Sequence, residues 1–223
     1  MGKHRSGKPA FYWRPINEPQ RQAMEFFREG ADVLFLVGPA GTGKTLASLA
    51  LAVGEVISTR ADGITLLRPT IESSRPMGFL PGEVPDKLEP HLAAYRETLP
   101  KIVFDFPADL IEARALQFLR GLTFDRRVVL LDEAQNCTYE DLTLVLTRLG
   151  EGSRLLILGD PEQPDISGSG LLDFRDALVG APGVESVVFA DNDAVRHSRL
   201  AIWLARIRAG AKNRTTHSLH TSG

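Results

Sequence analysis

Residues 33–45 read Val33-Leu34-Phe35-Leu36-Val37-Gly38-Pro39-Ala40-Gly41-Thr42-Gly43-Lys44-Thr45. Five apolar residues run into a complete G-x-x-x-x-G-K-T sequence, and the helix-prone stretch Thr45 to Thr59 follows. A buried strand, a glycine-rich turn and a helix start allow consecutive backbone N–H groups to converge on one anion. The glycines permit close approach and positive φ, which a Cβ would obstruct. The pattern therefore predicts a phosphate-binding loop made of Gly38, Pro39, Ala40, Gly41, Thr42, Gly43, Lys44 and Thr45. Lys44 would reach the β- and γ-phosphates of a nucleoside triphosphate, and Thr45 would offer its hydroxyl to Mg²⁺. A glycine-rich connection without a ligand is the alternative, and the full motif in its required context argues against it.

Two further apolar runs end in polar groups. Val128-Val129-Leu130-Leu131 leads to Asp132-Glu133. Asp132 would hold Mg²⁺, directly or through water, and Glu133 would polarise the attacking water. The carboxyl end of a strand is where open α/β sheets bind their ligands. Asp-Glu at this place is also a favourable start for a helix; the phosphate loop about 90 residues upstream favours the catalytic reading. Leu155-Leu156-Ile157-Leu158 likewise delivers Gly159-Asp160-Pro161-Glu162-Gln163. Gln163 would hydrogen-bond the γ-phosphate or its water, although a Gly-Asp-Pro turn explains part of this segment without a ligand.

Between these motifs, hydrophobic periodicity sets the frame. Strands are expected at Val33–Val37, Gly63–Leu67, Arg127–Leu131, Arg154–Leu158 and Val184–Phe189. Helices are expected around Ala23–Phe27, over Thr45–Thr59, near Glu140–Leu149 and near Arg199–Arg208. The alternation implies an α/β fold with a mostly parallel sheet covered on both faces. Residues 16–208 form the expected domain and 209–223 an expected disordered tail. Residues 1–15 read as a basic, flexible arm, with Lys3, Arg5, Lys8 and Arg14 interleaved with Phe11, Tyr12 and Trp13. That composition suits single-stranded nucleic acid, and it equally suits packing on its own domain. Residues 69–107 hold seven prolines around Gly78-Phe79-Leu80-Pro81-Gly82. A long insertion of this kind is usually functional, and Phe79, Leu80, Leu88 and Leu92 argue against a plain solvent loop.

Composition narrows the partners. With 26 Lys+Arg against 28 Asp+Glu, the net charge of −2 supplies no global pull toward nucleic acid. The single Cys137 excludes an internal disulfide, suits a reducing cytosol and reads as packing. No apolar stretch approaches the roughly 18 residues needed to span a membrane, and the N-terminus lacks a signal-peptide core. A cytoplasmic location is the expectation. His197 has no partner at metal-ligand spacing, so no metal is expected beyond nucleotide-bound Mg²⁺.

Gly159-Asp160-x-x-Gln163 after Asp132-Glu133-Ala134-Gln135 resembles the ATPase core of superfamily 1 helicases, which implies a RecA-like P-loop NTPase fold. Ile16-Asn17-Glu18-Pro19-Gln20 resembles the Q motif of that core, which would give Gln20 the adenine edge. A closer resemblance is to the PhoH family, the phosphate-starvation-inducible ATPases. It rests on the phosphate loop, Arg68-Pro69, Gly78–Gly82, Leu119-Arg120-Gly121-x-Thr123, Leu131–Asn136, Leu146–Gly150, Gly159-Asp160-Pro161-x-Gln163, Ser169-Gly170-Leu171 and Val195-Arg196-His197. The chain departs from the family pattern at Ile71–Arg75, Leu122, Pro164-Asp165-Ile166 and Asp193-Ala194, none of them in the phosphate loop or the Asp-Glu pair.

The resemblance implies a Mg²⁺-dependent ATP hydrolase acting on RNA. Some relatives join such an ATPase to a PIN-type ribonuclease domain; for this chain nuclease activity would be expected to require a separate partner. A second helicase-type domain is not expected from these residues, so movement along RNA would be expected to use a homo-oligomeric ring. Arg68, Arg120, Arg148 and Arg196 all lie within the matching motifs, and Arg148 and Arg196 are the candidates for a trans-acting arginine finger. Two alternatives stay open: a nucleotide-dependent switch or assembly factor acting on a protein partner, and a small-molecule kinase.

Overall fold

The apolar runs become strands because both faces of each are covered. In the computed structural model, which describes residues 9–69, 84–193 and 206, the chain order is β1 (Ala10–Phe11), α1 (Glu18–Glu29), β2 (Val33–Val37), α2 (Lys44–Ile57), β3 (Gly63–Arg68) and α3 (Val84–Thr98). It continues with β4 (Val103–Phe104), β5 (Ile111–Ala115), β6 (Arg127–Leu131), α4 (Tyr139–Leu146), β7 (Arg154–Gly159), α5 (Leu171–Leu178) and β8 (Val184–Val188). Six strands form one sheet in the order β5-β3-β6-β7-β2-β8, every pair parallel. This is the expected RecA-like arrangement.

Strand alternation sorts the core into two layers. Leu34, Leu36, Val128, Leu130, Leu156 and Leu158 pack on one face with α1, α2 and α3. Val33, Phe35, Val129, Leu131, Leu155 and Ile157 pack on the other with Leu142 and Val145 of α4 and Leu171 and Phe174 of α5. Cys137 is buried in this second layer, as the packing reading required.

Local chemistry fixes the helix ends. Asn17 caps α1 by accepting from the Gln20 N–H at 3.0 Å, and Gly30 closes that helix with φ 105°. Thr138 and Asp141 form a reciprocal capping box at the start of α4. At the opposite end of the sheet, Arg154 lies 3.5 Å over the Phe27 ring and pairs with Glu55 at 3.4 Å, joining β7 to α1 and α2.

The structure differs from the sequence reading in four places, the first being α5 (Leu171–Leu178), a helix absent from that reading. The proline-rich insertion contains a described helix, α3, with Pro90 inside it, and then β4. β5 is an edge strand that periodicity missed, because Glu112 and Arg114 interrupt its apolar pattern. The described part of the N-terminal arm, from Pro9, packs on the domain instead of standing off it. β1 pairs antiparallel with β4, Tyr12 and Trp13 donate backbone hydrogen bonds to Ile102 O, and Trp13 is only 6% exposed within the core. Residues 1–8, the motif Gly78–Gly82, the tail 209–223 and all of the expected helix near Arg199–Arg208 except Arg206 lie outside the described residues.

Trp13→Ala is therefore expected to destabilise the protein by about 3–5 kcal/mol, the usual cost of emptying a large aromatic site. Urea unfolding measures it, and a change below about 0.5 kcal/mol would return this segment to the status of a loose arm.

Candidate nucleotide site

Because the sheet is all parallel, its strands end on one rim, where several of the predicted polar groups meet. A cleft of about 500 Å³ on that rim is lined by Gln20, Gly43, Lys44, Thr45, Asp132 and Glu133, with Ile16, Lys101, Gln135 and Asp160 among its other walls.

β2 feeds the phosphate loop directly into α2. Gly38, Gly41 and Gly43 take φ values of 143°, 81° and 91°, which L side chains rarely adopt. A Cβ on Gly38 would lie 2.1 Å from Phe189 O, and one on Gly43 would lie 2.5 Å from Gln20 Nε2. The N-cap of α2 is Gly43, which has no side chain to cap the first-turn N–H groups. Lys44 lies folded along the loop, its Nζ donating to Gly38 O at 2.6 Å and to Pro39 O at 2.7 Å. Thr42 Oγ1 donates to Pro39 O at 2.9 Å and closes the turn.

β6 delivers the acidic pair. Asp132 Oδ1 accepts from the Glu133 N–H at 3.0 Å, and its Oδ2 accepts from the Tyr95 hydroxyl at 2.8 Å. Burial pushes the Asp132 carboxyl above the usual carboxylate range; the Tyr95 hydrogen bond opposes this and the Glu133 charge adds to it. Burial, then the charge of Asp132, holds the Tyr95 phenol well above its ordinary value, so Tyr95 acts as a donor. Glu133 adopts φ 56°, an uncommon backbone state for a non-glycine residue and one that gathers at functional sites. Its Oε1 lies 3.5 Å from Arg68 Nη2, and its Oε2 accepts from Gln135 Nε2 at 2.6 Å.

The network continues onto β7. Gln135 Oε1 accepts from the Asp160 N–H at 3.1 Å. Asp160 Oδ2 in turn accepts from the Ala40 N–H at 3.1 Å and from Gln163 Nε2 at 2.6 Å. Glu133 is thus connected to the phosphate loop through Gln135 and Asp160. Sequence reasoning assigned neither of these a role, although both sit in motifs it quoted. It also missed Tyr95 and Lys101, which no sequence signal marked.

The other expected residues fall as follows. Gln20 is fully buried; its Oε1 accepts from the Ile16 N–H at 3.0 Å, while Nε2 has no hydrogen-bond partner among the described residues and lies beside Gly43 at the cleft. Gln163 is exposed and engaged on Asp160 instead of lining the cleft. Arg148 is not brought to the cleft. It follows α4, and its carbonyl accepts from the Phe124 N–H upstream of β6, at the rim where the strands begin. Arg196 and His197 lie outside the described residues. Arg120 borders a second cleft with Pro69, Gln117, Asn136 and Asp141.

A glycine loop leaving a central parallel strand, with acidic residues ending the strand two places away, defines a P-loop NTPase fold of the nucleotide-binding kind. The chain belongs to the PhoH-like protein family, whose model matches residues 13–206. A PhoH-like protein of Synechocystis sp. is 37% identical over 187 residues, covering 80% of this chain and 57% of that one. Protein PhoH of Escherichia coli is 32% identical over 179 residues, covering 75% and 51%. The chain spans about half the length of these curated relatives. Among solved structures, the large terminase of a thermophilic bacteriophage, in complex with ADP, superposes with a TM-score of 0.57 at 12% identity. The match covers 84% of this chain and 48% of the terminase, and at that identity the likeness is one of fold.

Proposed function

We propose that this chain is a Mg²⁺-dependent ATPase whose turnover is coupled to RNA. The observation that carries the ATPase reading is the network linking Glu133, Gln135 and Asp160 to the Ala40 N–H of the phosphate loop. It joins the group that would orient water to the loop that would hold the phosphates.

The residues fit the nucleotide and its metal. Gln20 presents a buried Nε2 to the cleft that has no hydrogen-bond partner among the described residues, and Gly43 leaves the space that a Cβ would take from that nitrogen. Thr45 and Asp132 border the same cleft and offer a hydroxyl and a carboxylate, the oxygen donors that Mg²⁺ prefers. Bound there, Mg²⁺ would neutralise charge on the β- and γ-phosphate oxygens. Lys44 Nζ exchanges the Gly38 and Pro39 carbonyls for phosphate oxygens. Glu133 orients the attacking water with Oε1, while Gln135 keeps Oε2 in place. Gln163, on the same Asp160 oxygen as the loop, reports the occupancy of the loop to the surface. Gln20 donates to the adenine edge.

Gln20→Ala is accordingly expected to erase discrimination between ATP and GTP, lowering ATP affinity about tenfold, the cost of one buried hydrogen bond. Equilibrium binding of both nucleotides checks it, and an unchanged preference removes Gln20 from base recognition.

Support for RNA comes from the resemblance of the motifs to helicase cores and from the surface of the β1–β4 ribbon. Phe11, Tyr12 and Phe104 are 36%, 48% and 64% exposed there, with Arg14 adjacent in sequence and Lys101 two residues before Val103. Exposed aromatics beside cations suit base stacking with phosphate pairing. We further propose a ring in which Arg148 or Arg196 completes the site of a neighbour, with any nuclease activity supplied by a separate partner. A cytoplasmic setting agrees with Cys137, whose buried thiol is pushed up to about 12. No helix among the described residues is long and apolar enough to cross a membrane.

Steady-state ATPase measured with and without single-stranded RNA, at two salt concentrations, tests the coupling. Stimulation that fades with salt is expected. ATP turnover indifferent to RNA would favour the nucleotide-switch alternative, and transfer of phosphate to a small molecule would favour a kinase. Molar mass in solution with ATP and Mg²⁺ tests the ring, and a strict monomer excludes a finger in trans.

A further inference from the structure

Tyr95 is 5% exposed in the layer formed by α1, α2 and α3, among apolar neighbours such as Leu92 and Leu99. A phenylalanine would fill that space without any polar group to satisfy. The hydroxyl instead finds one partner, Asp132 Oδ2 at 2.8 Å, 37 residues away in sequence. With the Glu133 N–H on Oδ1 at 3.0 Å, each carboxylate oxygen holds one donor and the plane of the group is fixed. Each oxygen keeps lone-pair capacity for a metal or its water.

The phenol is carried by an element outside the core motifs. After α3 comes a 3-10 turn, Leu99–Lys101, then Ile102 and β4. Ile102 O accepts from the Tyr12 and Trp13 N–H groups, the Tyr12 hydroxyl donates to Pro100 O, and β1 pairs with β4. An unbroken run of contacts therefore leads from the exposed aromatic ribbon through α3 to the carboxylate of the site.

We propose that Tyr95 is a positioning residue for the metal-holding carboxylate, and that through it α3 and the β1–β4 ribbon are coupled to Mg²⁺ at the nucleotide. The proposal rests on the ATP–Mg²⁺ reading of this cleft. Groups that orient a metal ligand typically change metal affinity 10–100-fold when removed. Coupling of this kind is reciprocal: whatever holds α3 in place raises Mg²⁺ affinity, and Mg²⁺ holds α3 in place to the same degree.

The test uses the full chain and a fluorescent ADP analogue. Tyr95→Phe should bind the analogue in EDTA within twofold of the unaltered protein. The Mg²⁺ concentration that half-restores tight binding should rise about tenfold or more. A purely structural role would lower both affinities together or neither, and an unshifted Mg²⁺ midpoint overturns the proposal. A second measurement needs no variant. Amide exchange over residues 84–104 of the unaltered, ADP-bound protein should slow on adding Mg²⁺; identical exchange overturns the coupling. Failure of the unaltered protein to bind the analogue under any condition defeats the nucleotide reading itself, and this inference with it. Binding with an unshifted midpoint defeats the inference alone.

Discussion

Glu133→Gln is expected to bind ATP as tightly as the unaltered protein and to hydrolyse it about 10²–10⁴-fold more slowly, the range lost with a positioned general base. The substitution is close to isosteric. A glutamine carbonyl can still accept from Gln135 Nε2, so the route to Asp160 and Ala40 survives. Glutamine tolerates φ 56° no worse than glutamate does. The ion pair with Arg68 is lost, but at 3.5 Å and with both side chains about a third exposed it contributes under about 1 kcal/mol. What disappears is the carboxylate's ability to take a proton from water. Chromatography of the nucleotide retained by the purified variant reads the outcome: trapped triphosphate supports the assignment, and rapid conversion to ADP shows that another group activates the water.

Lys44→Ala should lower turnover by at least about 10²–10³, the cost of one preorganised donor to developing charge, and should weaken triphosphate binding more than diphosphate binding. Its hydrogen bonds to Gly38 O and Pro39 O are made by a side chain that itself lines a cleft large enough to admit water. Solvent can replace the ammonium there, so the fold should persist; thermal melting followed by circular dichroism confirms that. Turnover retained in a folded variant would remove Lys44 from the site.

Contiguity and two-sided burial decide which elements are legible in the sequence. β2, β6 and β7 are continuous apolar runs because the sheet is covered on both faces, and such runs are visible without any knowledge of their neighbours. The phosphate loop was legible because its glycines and lysine are contiguous. β5 was not, since an edge strand with Glu112 and Arg114 in its middle has no apolar run to betray it. α3 was hidden by its prolines, which argue for a loop until tertiary contacts override them. Tyr95 was illegible for a different reason: its partner Asp132 is brought to it only by the packing of α3 against the sheet. Arg148 is a motif residue of another kind: α4 leads it to the far rim, away from its own cleft, so only a role toward a neighbouring copy is left to propose for it.

The contact at Gly38 has a consequence for how the protein comes into being. That glycine lies against the carbonyl of Phe189, whose N–H donates to Val37 O at 2.8 Å, and its own N–H donates to Gly159 O at 3.0 Å. Both partners are synthesised more than a hundred residues after the loop they shape. Pairings between such distant segments form late, because the entropy of closing the intervening chain must be met first. On the ribosome, residues 38–45 therefore emerge long before anything can give them their final form. A nascent chain halted before residue 159 would carry the whole phosphate-loop sequence and still lack a phosphate loop.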